Sequence, residues 1–334
     1  MQLYNQTPFS AEQMLLLDEN GSDVLVVVVK ATYKLSENSI SIDDNQRPVL
    51  LVDEYYGDPG KSSLKYESET AFFKPGTDVV FIGHAYAPDE TTVHLDVSLK
   101  AGKLQKNITV FGDRYWDKIF GIWFISDPKP FEKMPIQYER SFGGCCMDDQ
   151  NKPIDFYVKN PVGTGYSAVK NKSERKNTLL PNLEDPNCLI SSPCDLPKLA
   201  GFGFIAPNWS YRLKLSGTYD SQWEKNRMPL LPEDFNRKYF NSAHPDLISQ
   251  EFFKGGEPIE LINLTPNGRS QFTLPEIELL ITVKMKHSEV IQQKLNMDTI
   301  LINTDENIVM ITWRNYLNIH NKMNHVLWTK IQMV

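Results

Sequence analysis

The run "DVLVVVVKATYKL", residues 23 to 35, is the hardest constraint the chain carries. Val26 to Val29 are all β-branched, and side chains stiff at χ1 favour an extended backbone over a helix. The shorter apolar run "MLLL" precedes it across "DENGSD", whose glycine suits a turn. The two runs therefore read as a β-hairpin, despite the helix-like "SAEQ" before them.

The same patterning recurs in two further places. "DVVFIGHAYAPDETTVHLDVSLKAGKLQKNITVFGDRYW" predicts three strands separated by "APDE" and "AGK". In the middle one Val93, Leu95, Val97 and Leu99 alternate with His94, Asp96 and Ser98, which puts one face inward and the other in water. The expected arrangement is an antiparallel meander. From about residue 258 strands return in "PIELINLTP", "QFTLPEIELLITVKM" and "DTILINTDENIVMITWRNYL", the last a hairpin across "NTDEN". Between these regions twelve of the 21 prolines fall within residues 126 to 232, with "FGG", "GTG" and "GFGF" among them. Proline removes ladder donors and glycine weakens strands, so ordered irregular backbone is expected there, its polar groups satisfied by side chains. The chain thus reads as mainly β. Sandwich-like antiparallel regions at 1–125 and 258–334 are joined by a Pro/Gly-rich segment, 126–257, with few short helices, all in one compact unit.

With 334 residues, 41% of them apolar, the chain can bury a core without staples. It has no run of about eighteen apolar residues, and "MQLYNQTPFSAEQ" has neither a basic start nor an apolar stretch, so no membrane span or signal peptide is expected. A cytoplasmic protein follows. The net charge of −7 argues against nucleic-acid binding, and the basic "KNKSERKN" (170 to 177) reads as a solvated loop. Cys145, Cys146, Cys188 and Cys194 form neither a disulfide ladder nor a zinc knuckle, and are read as reduced thiols. No metal and no cofactor is expected.

The chemical motifs are weak. "GTGYSA" (163 to 168) matches a dinucleotide fingerprint, with Glu184 a tempting distance downstream, but it lacks the strand before and the helix after that would aim amides at a pyrophosphate. His84, in an apolar strand, reads as a hydrogen-bonded core histidine, His94 as exposed, and His244, before a proline, as a turn or surface residue.

The stretch 217–246, "GTYDSQWEKNRMPLLPEDFNRKYFNSAHPD", looks most like a site. A glycan-cleaving reading would use two of Asp220, Glu224, Glu233 and Asp234, with Trp223 stacked on a sugar. Against it, four arginines lie within four positions of a tryptophan: Arg114 and Trp116, Arg212 and Trp209, Arg227 and Trp223, Arg314 and Trp313. Arginine stacked on indole, with its donors on carboxylates and carbonyls, is suited to fastening irregular backbone. Asp113, Asp220 and Asp234 are the expected ion-pair or turn-capping partners. "LPEDF" reads as a short helix start, with Phe235, Tyr239 and Phe240 on one face.

The blocks "VVVVKATYKL", "KPGTDVVFIGHAYAP", "GDRYW", "PFEKMPIQYERSFGG" with its Arg140, "NPVGTGY", "LPNLEDP", "AGFGFIAPNWSYR", "GTYDSQWEKNRMPLLPEDFNRKYFNSA", "GGEPIELINLTP" and "DTILINTDENIVMITWR" resemble, in order, those of the bacterial domain-of-unknown-function family DUF2169. That resemblance implies a role in type VI secretion, as a cytoplasmic adaptor or chaperone. Its partners would be a toxic effector and the spike, the valine-glycine-repeat trimer with its Pro-Ala-Ala-Arg-repeat tip. It implies no catalytic residues. A carbohydrate-active β-protein, hydrolase or lectin, built on Trp223 and its neighbouring acids, is the competing expectation.

Overall fold

The computed structural model describes residues 1–148, 150, 152–166, 176–286, 290–319 and 323–334. Asp23–Ser36 is a single strand of 14 residues, paired antiparallel with Ser10–Leu17 on one side and Ile308–Asn318 on the other. Met14 lies opposite Val26 and Leu16 opposite Val24, so the hairpin expected from the sequence forms. Beyond Ile308–Asn318 the sheet continues through Asn296–Asn303 and Thr77–Ile82 to the two-residue edge strand Ile248–Ser249. Strands from both ends of the chain therefore share one seven-stranded sheet.

The valine run lacks alternation because both of its faces are covered. Leu25, Val27 and Val29 enter the main core with Val97, Leu99 and Ile108. Val24, Val26 and Val28 point the other way, into a smaller cluster with Val49 and Phe72. Burying a valine completely stabilises by roughly 1.5–3 kcal/mol, so a strand buried on both sides anchors the fold in a way a half-exposed one does not.

A second sheet places His94–Ala101 between Leu104–Phe111 and Pro258–Ile262, with Leu183–Glu184 and Arg269–Thr273 at its edges. Leu95, Val97 and Leu99 are buried while His94 and Asp96 are exposed, as the alternation predicts. The three-stranded meander is not realised, however. Thr77–Ile82 leaves for the first sheet, where it pairs in parallel with Asn296–Asn303. Alternation specifies a strand but not its partner, and this one lies at the far end of the chain. At Gly83 (φ +155°) an added Cβ would stand 2.2 Å from Thr304 Oγ1, so the turn away from this ladder needs a residue without a side chain. A third sheet joins Gln2–Asn5, Val326–Met333, Leu279–Met285 and Val290–Lys294.

The proline-rich segment holds two short α-helices, Ser210–Leu213 and Ser221–Asn226, besides brief 3-10 turns. It is pinned to the first sheet by a buried ionic cluster. Asp78, with no exposure, accepts from Lys74 Nζ at 2.8 Å, from Asn241 Nδ2 at 2.8 Å and from the Ser242 amide at 2.8 Å. Glu67 takes the same ammonium at 3.2 Å, the Ser242 hydroxyl at 2.5 Å and Arg212 Nη1 at 2.7 Å. Burial opposes the charge on Glu67, but Lys74 and Arg212 outweigh it and hold the carboxyl below its ordinary value. Burial likewise opposes the charge on Lys74, and Asp78 and Glu67 raise its pKa above the ordinary value. Arg212 also donates to the carbonyls of Tyr239 (3.0 Å) and Ile205 (2.9 Å), joining three stretches of irregular chain.

Removing one partner of such a cluster strands a buried charge. Arg212→Ala is expected to lower unfolding free energy in urea by about 3–5 kcal/mol, with Arg212→Lys recovering little because one ammonium cannot reach all three acceptors. A loss below about 1 kcal/mol would show that the cluster does not fasten the segment.

Candidate interaction surface

Two acids of the 217–246 stretch, Asp220 and Asp234, are committed to its own backbone. Asp220 Oδ1 accepts from the amides of Gln222 (3.0 Å) and Trp223 (2.8 Å), capping the helix Ser221–Asn226. Asp234 accepts the Thr218 amide at 2.9 Å and its hydroxyl at 2.7 Å, and the amide bond holds its carboxyl below the usual range. Trp223 donates Nε1 to the Leu230 carbonyl at 2.8 Å. Arg227 donates to the carbonyls of Leu231 (2.8 Å) and Glu19 (3.0 Å). These groups and Glu233 line a hollow of about 350 Å³, and of the four acids weighed for catalysis Asp220 and Asp234 hold its walls. Glu224 and Glu233 are exposed. "LPEDF" begins no α-helix. Phe235 closes a turn onto the Pro232 carbonyl, and a 3-10 segment follows at Arg237–Phe240 with Asn236 as its cap. The Phe235 ring still packs against Tyr239 and Phe240 at 5.6 and 5.4 Å.

The arginines fasten backbone, but not by stacking on indole. Arg114 lies 3.5 Å over the Phe111 ring and pairs with buried Glu184, while Arg212 lies 5.1 Å from the Tyr239 ring. Arg314 donates to the Ala71 carbonyl at 2.9 Å and stands 3.3 Å from Asp298, whose carboxyl burial pushes up. Asp113 and Arg140 meet at 3.9 Å beside Asn182, whose side-chain amide bridges Phe111 and Asp113. The tryptophans take other rings: Trp209 sits edge-on to Tyr138, Trp313 stacks on Phe9, and Trp116 meets Trp123. Nearness in sequence does not make a contact: adjacent residues of one strand point to opposite faces, as Trp313 and Arg314 do.

Trp116 roots a different feature. Strands Trp116–Ile119 and Ile122–Ile125 pair as an isolated hairpin whose two turn residues, Phe120 and Gly121, have φ of 47° and 84°. A two-residue turn of this hand demands positive φ at both positions, which Asn and Gly supply and phenylalanine resists. Phe120 is nonetheless there, fully exposed, flanked by exposed Ile119 and Ile122. The root is dry: Trp116 joins Phe142, Tyr157, Leu180 and Ile190 in a small core of its own. A second hairpin, Cys145–Met147 with Pro153–Phe156, abuts that core through Tyr157 and leaves Ile154 and Phe156 exposed.

The model of a family described as an uncharacterised protein conserved in bacteria, DUF2169, matches residues 20–314. The chain belongs to DUF2169. No curated protein and no solved structure matches it. The matched span includes the ionic cluster and the Phe120 hairpin, whereas Gln2–Asn5 and Val326–Met333 of the third sheet lie outside it.

The remaining sequence candidates of this DUF2169 protein resolve as follows. Glu184 is no ribose ligand: it is buried against Arg114 and accepts the Ile190 amide at 2.7 Å, and burial raises its pKa. Thr164–Gly165 pairs with Phe142–Gly143, while Ser167 and Ala168 of "GTGYSA" and residues 170–175 of the basic stretch lie outside the described residues. The four cysteines form no disulfide, and no metal-holding group of His, Cys, Asp and Glu occurs among the described residues. No helix among them is long and apolar enough to cross a membrane. His84 is not in the core: it is partly exposed, with Nδ1 2.8 Å from Asp305. His94 is exposed.

His244 sits in a turn, as expected, but is buried there rather than set at the surface. It is 5% exposed, its Nε2 lies 3.1 Å from the Leu199 carbonyl, and its Nδ1 accepts the Asp246 amide, capping a 3-10 turn. Burial, with Lys106 nearby, lowers its pKa to about 4. The folded protein then binds fewer protons at this ring than the unfolded chain between pH 6.5 and about 4, so the contribution is present above that window and lost as pH falls through it. The shift corresponds to about 3 kcal/mol. Urea midpoints are expected to fall across this window, and His244→Asn, which keeps a capping oxygen, should flatten the decline. An unchanged slope in the variant would remove His244 as its source.

Proposed function

We propose that this protein is a non-enzymatic adaptor of type VI secretion, acting in the cytoplasm to hold an effector and pass it to the spike and its tip. The observation that carries the reading is Phe120. An aromatic side chain in left-handed backbone, with no contact in its own chain to offset the strain, is retained for what it meets outside. Its hairpin is rigid at the root and apolar at the tip, which suits insertion into a hydrophobic pocket of a partner protein. The secretion context is what the block-by-block resemblance implies, while the family match itself gives only a protein conserved in bacteria. The competing carbohydrate reading loses support from the same stretch that suggested it, because Asp220 and Asp234 cap backbone.

Phe120→Gly separates fold from function. Glycine takes positive φ freely, so the melting temperature is expected to hold or rise, the relieved strain being about 1 kcal/mol. Co-purification with the effector encoded beside it should weaken at least about ten-fold. Full retention of the effector by this variant would take the hairpin out of the interface.

In cells, deletion of the protein is expected to block delivery of one effector while sheath assembly and other cargo continue, since an adaptor couples two specific partners. Loss of all secretion would assign the protein to the machine itself. Glycan hydrolysis lost on changing Asp220 or Glu224, without retention of any effector, would reinstate the carbohydrate reading.

A further inference from the structure

We propose that the cleft bounded by Pro75 and Gly76, the helix Ser210–Leu213 and residues 241–245 binds an organic anion, a phosphate or carboxylate group carried on a compact apolar body. The cleft is about 520 Å³, within the range of small-molecule sites. It is separate from the Phe120 hairpin and does not depend on the adaptor role.

Charge selects the ligand. The charged side chains lining the cleft are Arg212, Lys214 and Lys238, and no carboxylate lines it. In a chain carrying 42 acids against 35 basic residues, that local excess runs against the global sign. Arg212 is 7% exposed and fixed by the Ile205 and Tyr239 carbonyls and by Glu67. Those bonds use Nε and Nη1, and Nη2 takes part in none of them. A guanidinium held in this way is oriented before any ligand arrives, which reduces the ordering cost of binding. Lys214 and Lys238 are exposed, and neither has a carboxylate within ion-pair distance among the described residues. The Lys214 ammonium lies 6.0 Å from the Tyr211 ring. Two exposed cations beside one fixed cation suit an anionic head group.

Ile205, Leu215, Ala243 and Ile248 give the cleft an apolar surface beside the polar Asn241, Ser249 and Gln250. A bare inorganic ion would leave this surface wet, whereas a short hydrocarbon attached to the anion would cover it. Asn241 donates to Asp78 at 2.8 Å, so one wall of the cleft is continuous with the buried ionic cluster and is preformed.

Calorimetric titration of the full chain with hexyl phosphate tests this, with hexanol and inorganic phosphate as controls. Hexyl phosphate is expected to bind at one site per chain, at least about ten-fold tighter than either control, and Lys214→Glu/Lys238→Glu should weaken it at least about ten-fold further. Lys214→Met/Lys238→Met, which keeps the stems, should show an intermediate loss, and urea unfolding of both variants should match the parent. Absent binding, equal binding of hexanol, equal binding of inorganic phosphate, or unchanged affinity in the charge-reversed variant would each overturn the proposal.

Discussion

Asp78 stands without solvent in the first sheet, and a carboxylate there survives only if its lone pairs are filled. Lys74, Asn241 and Ser242 fill them, and the last two belong to a stretch of chain with almost no regular structure. The demand runs both ways. Irregular backbone cannot satisfy its own polar groups, and the sheet offers a charge that must be satisfied. The long proline-rich segment is therefore held by a few buried polar centres: Asp78 with Glu67, Glu184 with Arg114, and the side-chain amides of Asn160 and Asn182. These centres set position more than they add stability, because each ion also had to be desolvated.

How far the sequence could be read follows from which information each pattern carries. The valine run, the alternation at 93–99 and the hairpin across "NTDEN" are local, and each is realised: Asn296–Asn303 pairs with Ile308–Asn318 across that turn. The partner of Thr77–Ile82 was not legible, because its parallel neighbour is more than two hundred residues away and alternation does not encode partnership. Fastening by arginine was foreseeable from composition, but its ring partners were not. Arg114 chose Phe111, three residues back, over Trp116, two ahead. His244 was misplaced for a related reason: a histidine before proline signals a turn, and only tertiary packing decides whether that turn is buried.

The hairpin tip was not anticipated from the sequence, although a signal for it was present. "IFGI" places apolar residues where a tight turn ordinarily places Asn, Asp or Gly, and that local conflict is itself a signal. The other non-glycine residues with positive φ among those described, Asn177, Asn263 and Asn307, are asparagines, which tolerate it. Conflict confined to one protruding turn, on a root as dry as Trp116 and Leu180, sets Phe120 apart from the scattered exposed apolar residues that any folded chain carries.

The pinned segment and the exposed tip are linked through entropy. An apolar finger on a loose loop would lose its freedom on docking, and ordering each mobile side chain alone costs about 0.5–1.5 kcal/mol. Here the loss is taken during folding. Arg114 donates to the Pro181 carbonyl and pairs with Glu184, while the Trp116 amide bonds the Thr178 carbonyl, so the hairpin leaves the body from fixed points. On the adaptor reading, a partner pocket would meet a hairpin whose base is already fixed, which lowers the ordering cost of docking. The same polar centres that hold the proline-rich chain also fix the base from which the hairpin extends.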